Sequence, residues 1–322
     1  MSNSRIGLGC MGMSEFYGEN NDDANVQALQ FAYEIGYRHF DTADMYGRGH
    51  NEQLIGRFIK DLGESRKDIA VATKVGIVRD VDGPGTIGVD GSPEYILSAC
   101  ERSLERLNVD YIDLYYLHRR NPDVPIDETM SAMKQLLDQG LIKSVGLSEV
   151  SAETLKEANS VVSISALQSE YSLWSRDIEN NILPQCKKLD VNLVAYSPLG
   201  RGFLSGKISK EQVQDKSDLR SMLPRFQGDS FDKNAVLLDA IEAIADAHSC
   251  SMAQVALAWV LAQEPLIRII PGGRKTRNIE ENFNSVSVQL TADEVTDLSN
   301  VFNPEKITGL RYPEALLHTV NT

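Results

Sequence analysis

The sequence predicts a single-domain α/β protein spanning 1–322, a (β/α)8 barrel of the TIM type with long loops over its C-terminal face. Three observations carry that prediction. Eight short strand-like runs recur near 5–11, 38–41, 69–74, 111–117, 143–148, 163–168, 191–197 and 267–271, with helical patterns between them. Such alternation reads as a parallel sheet with crossover helices. A length of 322 residues suits one barrel of roughly 250 residues plus insertions. Finally, three of the runs end at an ionisable side chain, and barrel strand ends point toward a common centre.

In chain order, the first run, Ile6-Gly7-Leu8-Gly9, follows only five residues. Gly36 and Gly140 stand where helices should stop. Ser92-Pro93 opens a helix whose Ile96, Leu97, Cys100, Leu104 and Leu107 share one face. Ser251 with Gln254, and Thr291 with Glu294, match the capping box. Three stretches break the repeat and are expected as long loops over one mouth: Gly76–Ser92, with five glycines, Leu199–Asp232, and the tail after Asn303.

Composition is that of an ordinary globular protein. No apolar run approaches the roughly 20 residues of a membrane helix, and Met1-Ser2-Asn3-Ser4-Arg5 lacks a signal-peptide core, so a cytoplasmic protein is expected. A net charge of −14 disfavours nucleic acid and acidic membranes as partners. Cys10, Cys100, Cys186 and Cys250 show no metal or redox spacing and read as reduced, mostly buried thiols. No metal-ligand cluster of plausible spacing is present, and no Gly-x-Gly-x-x-Gly follows the first strand, which disfavours a Rossmann domain.

Four phrases concentrate the chemistry: Phe40-Asp41-Thr42-Ala43-Asp44-Met45-Tyr46-Gly47, Val71-Ala72-Thr73-Lys74, Tyr115-Tyr116-Leu117-His118 and Ile270-Pro271-Gly272-Gly273-Arg274. A free phenol, with a pKa of about 10, is a weak acid at neutral pH and needs a nearby cation to favour its phenolate. Lys74 can be that cation for Tyr46, and Asp41 can keep a lysine charged in a partly dry cleft. His118 can orient a substrate oxygen or share the proton transfer. Taken singly each has a plainer reading: a structural histidine, a loop tyrosine, a structural ion pair. The fourth phrase, with Lys275 and Arg277, gives an acidic chain a local basic site for an anionic cofactor.

Together these phrases resemble the aldo-keto reductase family, whose members reduce carbonyls with NADPH on a (β/α)8 barrel. The resemblance covers nearly the whole chain, through Leu8-Gly9-Cys10-Met11-Gly12-Met13-Ser14, Gly146-Leu147-Ser148, Leu167-Gln168-Ser169-Glu170-Tyr171, Ala195-Tyr196-Ser197-Pro198-Leu199-Gly200 and Glu280-Glu281-Asn282. Within the family it is most similar to auxin-induced-like and perakine-reductase-like bacterial, fungal and plant reductases. The resemblance implies a catalytic set of Asp41, Tyr46, Lys74 and His118, with Tyr46 as proton donor. It implies that Ser148 and Gln168 hold the carboxamide and that Tyr196 stacks on the nicotinamide. Ser197, Leu199 and Gly202 would contact the pyrophosphate. Gly272, Gly273, Arg274, Arg277 and Asn278 would surround the 2′-phosphate, with Glu281 and Asn282 at the adenine.

Phe16, Tyr17, Arg119 and Trp174 are expected at the substrate mouth, where aromatic character suits a flat or apolar aldehyde or ketone. Arg119 can instead favour an acidic substituent or pair with an acidic loop residue. Two positions depart from the family pattern: Glu149 replaces an Asn beside Ser148, and Asn278 replaces an Arg on the phosphate. Relatives also carry some fifteen residues before the first strand, which plug the barrel bottom, so a thinner seal is expected here. The expected protein is a monomer or weak homo-oligomer acting on a small-molecule carbonyl. Other readings are an NADPH-binding redox sensor resembling potassium-channel β-subunits, and a pyridoxal reductase.

Overall fold

A computed structural model describes residues 4–15, 20–80, 86–215 and 218–314, with Leu317 and Val320. Among the described residues ten strands form in chain order: β1 Leu8–Gly9, β2 His39–Asp41, β3 Ala70–Val75, β4 Ile77–Arg79, β5 Thr86–Val89, β6 Leu114–Leu117, β7 Val145–Ser148, β8 Ile164–Glu170, β9 Asn192–Tyr196 and β10 Ile267–Ile270. Eight of them make one parallel sheet in the order β1-β2-β3-β6-β7-β8-β9-β10. Parallel bridges from Ile6 to Ile269 and from Gly9 to Gly272 join its two ends, so the sheet is a barrel. All eight expected runs are barrel strands.

One stretch differs from expectation. Gly76–Ser92 is not all loop, because β4 and β5 pair antiparallel as a hairpin, Ile77 opposite Val89. Glycines have low strand propensity, and five in that stretch hid the pairing. The 199–232 segment holds short 3₁₀ turns and the start of the helix Ser230–Ala235.

Alternation along each strand separates two cores. Ala72, Leu114, Tyr116, Ala166, Val194 and Ile270 pack together inside the barrel, while Phe40, Val71, Leu117, Leu147 and Leu193 join the larger core shared with the outer helices. Gly146 leaves room for the Tyr116 ring, since a Cβ there would lie 2.4 Å from it. The outer helices follow their sequence signals. Ser92 caps Pro93–Leu107 by accepting from the Tyr95 amide, and complete capping boxes start Met252–Gln263 and Ala292–Val301. Positive φ at Gly36 (115°) and Gly140 (76°) follows the helices Asp22–Glu34 and Ile126–Asp138.

At the N-terminal end of the strands, Arg5 donates to the carbonyls of Leu261 (2.6 Å), Glu264 (2.7 Å) and Ile267 (2.9 Å). A small pocket lies there, lined by Ser4, Ile6, Gly7, His39, Val194 and Arg268 among others. The opposite end gathers Asp41 and Glu170, which end β2 and β8, with Lys74 and His118 beside the ends of β3 and β6. Among the described residues, no helix is long and apolar enough to cross a membrane.

Candidate active site

Asp41 ends β2, Lys74 stands one residue inside the end of β3, His118 directly follows β6, and Tyr46 opens the turn after β2. Parallel pairing places Asp41 opposite Ala72, two residues before Lys74, and Lys74 opposite Tyr116, two before His118, so the three come to the same end of the barrel. Lys74 is fully buried, its ammonium on the Asp41 carboxylate and on the Thr42 carbonyl at 2.8 Å. Burial pulls the Lys74 pKa down, but Asp41 and then Tyr46 outweigh it, and the net shift is upward. The lysine therefore stays charged without water.

That charge faces Tyr46, with Nζ 5.2 Å from the ring centroid. Burial raises the Tyr46 pKa, and Lys74 opposes the rise. At neutral pH the phenol keeps its proton and has a cation ready to stabilise the phenolate. His118 meets Tyr46 edge-on, centroids 5.9 Å apart at 85°. Burial pushes the His118 pKa well down, helped by Arg119 and Lys74, so the imidazole is neutral. A neutral imidazole can donate one hydrogen bond without competing for the tyrosine's proton.

Ser148 and Gln168 stand in register on β7 and β8. Gln168 Nε2 donates to Asp41 Oδ2 at 2.8 Å, and Ser148 Oγ accepts from Arg119 Nη1 at 3.2 Å. Tyr196 ends β9 with its hydroxyl 3.0 Å from that of Tyr312. The chain then turns through positive φ at Ser197 (48°), Gly200 (54°), Arg201 (57°) and Gly202 (92°). Non-glycine residues in this region are strained, and such strain concentrates at functional sites.

Beyond β10 a Cβ on Gly272 would meet only Gly9 O, at 3.7 Å, so the backbone there is bare. Asn282 is buried and donates to Gly272 O at 3.3 Å, which fixes that turn. Arg274 donates to Asn20 Oδ1 at 3.2 Å, and Lys275 and Arg277 are exposed. Glu281 pairs with Lys207 at 2.7 Å, and Asn278 is half-buried on the same helix, Thr276–Phe283. An aromatic ring at one end and a bare glycine turn with three cations at the other fit a nicotinamide dinucleotide.

Residues 5–302 match the Aldo/keto reductase family. The chain belongs to that family. It is 41% identical over 316 residues to "Probable aldo-keto reductase 1" of Glycine max, covering 98% of this chain and 90% of that one. With "Aldo-keto reductase yakc [NADP(+)]" of Schizosaccharomyces pombe it shares 39% over 311 residues, 96% of this chain and 91% of that one. Among solved structures, the glycerol dehydrogenase AKR11B4 from Gluconobacter oxydans superimposes with a TM-score of 0.84 at 32% identity, covering 94% and 93% of the two chains. The holo form of the aldo-keto reductase AKR11C1 from Bacillus halodurans gives 0.77 at 28% identity, covering 93% and 92%. Aldo/keto reductases are oxidoreductases that generally reduce carbonyls with a nicotinamide cofactor.

In this aldo/keto reductase the Glu149 departure has a structural counterpart. Glu149 is fully buried at φ 54°, accepts from the Glu170 amide at 2.8 Å, and pairs with Arg311 of the tail at 2.8 Å. Glu170 in turn accepts from Ser175 Oγ at 3.0 Å and Arg201 at 3.2 Å, and Arg201 also donates to Tyr312 Oη at 3.0 Å. Sequence reasoning missed Arg201, Arg311 and Tyr312, since Tyr196 and Tyr312 lie 116 residues apart and no local pattern links them.

Of the expected mouth residues, Trp174 is 3% exposed, stacked on Phe203 with centroids 4.3 Å apart and met edge-on by Phe226. It borders a small pocket with Glu170, Arg201, Leu223, Arg225 and Arg311. Arg119 adjoins His118 and reaches Ser148. Phe16 and Tyr17 lie outside the described residues. The four cysteines are free, three of them buried and Cys250 partly so.

Proposed function

We propose that the protein is an NADPH-dependent reductase of aldehydes and ketones in which Tyr46 gives its proton to the carbonyl oxygen. The observation that carries this reading is the Lys74 ammonium, buried, fixed by Asp41, and 5.2 Å from the Tyr46 ring. A nicotinamide cofactor bound across the mouth supplies the hydride. Negative charge then grows on the substrate oxygen, and donors already aimed at that point stabilise it without reorganising. Neutral His118 gives one such hydrogen bond, and Tyr46 gives a second that becomes the transferred proton. Lys74 takes up the resulting phenolate charge.

To hold the cofactor, Tyr196 would offer its ring face, while Ser148 and Gln168 would exchange Arg119 and Asp41 for the carboxamide. The turn of Ser197, Leu199 and Gly202 would face the pyrophosphate. Arg274, with Lys275, Arg277 and the amides of Gly272 and Gly273, would receive the 2′-phosphate, and Asn278, Glu281 and Asn282 would flank the adenosine. Guanidinium groups bind such dianions through paired charge-assisted hydrogen bonds. The same reading includes a cytoplasmic enzyme that is a monomer or weak homo-oligomer.

Replacing Tyr46 by Phe tests the proton donor. NADPH oxidation followed at 340 nm over aromatic aldehydes, dicarbonyls and pyridoxal should fall at least about 100-fold in kcat, with NADPH affinity nearly unchanged. An unchanged kcat removes Tyr46 from the role. Tight NADPH binding by wild type without turnover on any carbonyl would overturn the reductase and favour a redox sensor. Arg274→Ala should weaken NADPH by about tenfold or more while leaving NADH little affected. Equal losses for both cofactors would show that Arg274 does not read the 2′-phosphate.

A further inference from the structure

The barrel mouth carries more positive charge than the proposed proton transfer uses. Four guanidiniums, of Arg119, Arg201, Arg225 and Arg311, stand with two carboxylates, Glu149 and Glu170, an excess of two on a chain of net charge −14. Both carboxylates are engaged, Glu149 by Arg311 at 2.8 Å and Glu170 by Arg201 at 3.2 Å. Among the described residues, no carboxylate pairs with Arg225 or Arg119.

Arg225 is built into the structure. It donates to Ser175 Oγ at 2.7 Å and to Gly309 O at 3.3 Å, and its guanidinium covers the Trp174 ring at 5.3 Å. Arg119 differs. Nη1 alone makes both of its hydrogen bonds, to His118 O at 2.7 Å and Ser148 Oγ at 3.2 Å. Nε and Nη2, the two-pronged edge that matches a carboxylate, have no hydrogen-bond partner among the described residues, and the side chain is only partly buried. A partly buried guanidinium left unpaired is costly, and an anionic guest removes the cost. Among the described residues, the acidic loop partner considered for Arg119 from the sequence does not form an ion pair with it, and Glu149 acts on it only at longer range.

We infer that the preferred carbonyl substrates carry a carboxylate or similar anionic substituent, received by Nε and Nη2 of Arg119 beside the reacting oxygen. This rests on the reductase reading. The same guanidinium chemistry could serve the cofactor's phosphates, but Arg274, Lys275 and Arg277 already stand beyond β10 for those.

The test compares 4-formylbenzoate with its methyl ester, which share ring and aldehyde and differ in the charge, at saturating NADPH. Wild type should favour the carboxylate in kcat/KM by about tenfold or more, Arg119→Met should abolish that ratio, and Arg119→Lys should keep part of it. A wild-type ratio near one, or a ratio untouched by Arg119→Met, overturns the inference. So does an Arg119→Met protein that binds NADPH more weakly while keeping the ratio. Calorimetric titration with 4-carbamoylbenzoate and its methyl ester gives the answer without turnover. If no carbonyl is reduced, the reductase reading fails, and charge-selective binding that vanishes in Arg119→Met still supports the anion site. Binding without such selectivity rejects it.

Discussion

The Asp41 carboxylate receives the Lys74 ammonium on one oxygen and the Gln168 amide on the other at 2.8 Å, so a single buried anion fixes both a charge and a neighbouring donor. One turn of the pleat below it, His39 faces the same interior. Burial, with Lys74 and Arg268 adding to it against Asp41 and Asp113, lowers the His39 pKa to about 4, against about 6.5 in an unfolded chain. Between those values the unfolded chain binds the extra proton. His39 therefore contributes stability fully above about pH 6.5 and loses it as pH falls through about 4. Urea unfolding across that window should show wild type losing up to about 1.4 kcal/mol per pH unit more steeply than His39→Leu. Parallel profiles would mean that His39 does not titrate there.

At the scale of elements, the end of β7 and the tail are joined by the buried Glu149–Arg311 pair. The Arg201 and Tyr312 contacts then carry the tail to Tyr196. Breaking a buried pair strands a charge and costs about 3–5 kcal/mol, whereas replacing both members can be nearly neutral. Arg311→Met should therefore loosen the tail, seen as faster limited proteolysis near residue 311 and lower stability to urea. The double variant Glu149→Met/Arg311→Met should recover most of the loss. Equal damage in the single and double variants would show that the tail is held by its other contacts.

Over the whole molecule, the barrel closes through a seam with little strand in it. β1 has two residues, and the seam is carried by Gly7 N to Ile269 O at 2.8 Å, Ile269 N to Arg5 O at 2.9 Å and Gly9 N to Pro271 O at 3.2 Å. The Arg5 side chain reinforces it by gathering three carbonyls from the end of Met252–Gln263 and the approach to β10. Hydrogen bonds from a charged donor contribute more than neutral ones, so Arg5→Ala should cost on the order of 3 kcal/mol of unfolding free energy. The seam's anchor lies at the end opposite the candidate site, and kcat should hardly change. A large loss of kcat without loss of stability would contradict that separation.

The eight barrel strands, the helix caps and the positions of Asp41, Tyr46, Lys74 and His118 were legible in the sequence because each depends on local pattern. Alternation sets which face a strand residue takes, capping residues satisfy nearby amides, and a parallel barrel carries strand ends to one mouth. The β4–β5 hairpin was not legible, since its glycines erase the alternation that marks a strand. Nor were the partners of Glu149 and Tyr196, which come from a tail over one hundred residues away in the chain. Only tertiary packing decides which of many arginines meets a buried carboxylate. Among the described residues, the same packing leaves Nε and Nη2 of Arg119 without a hydrogen-bond partner.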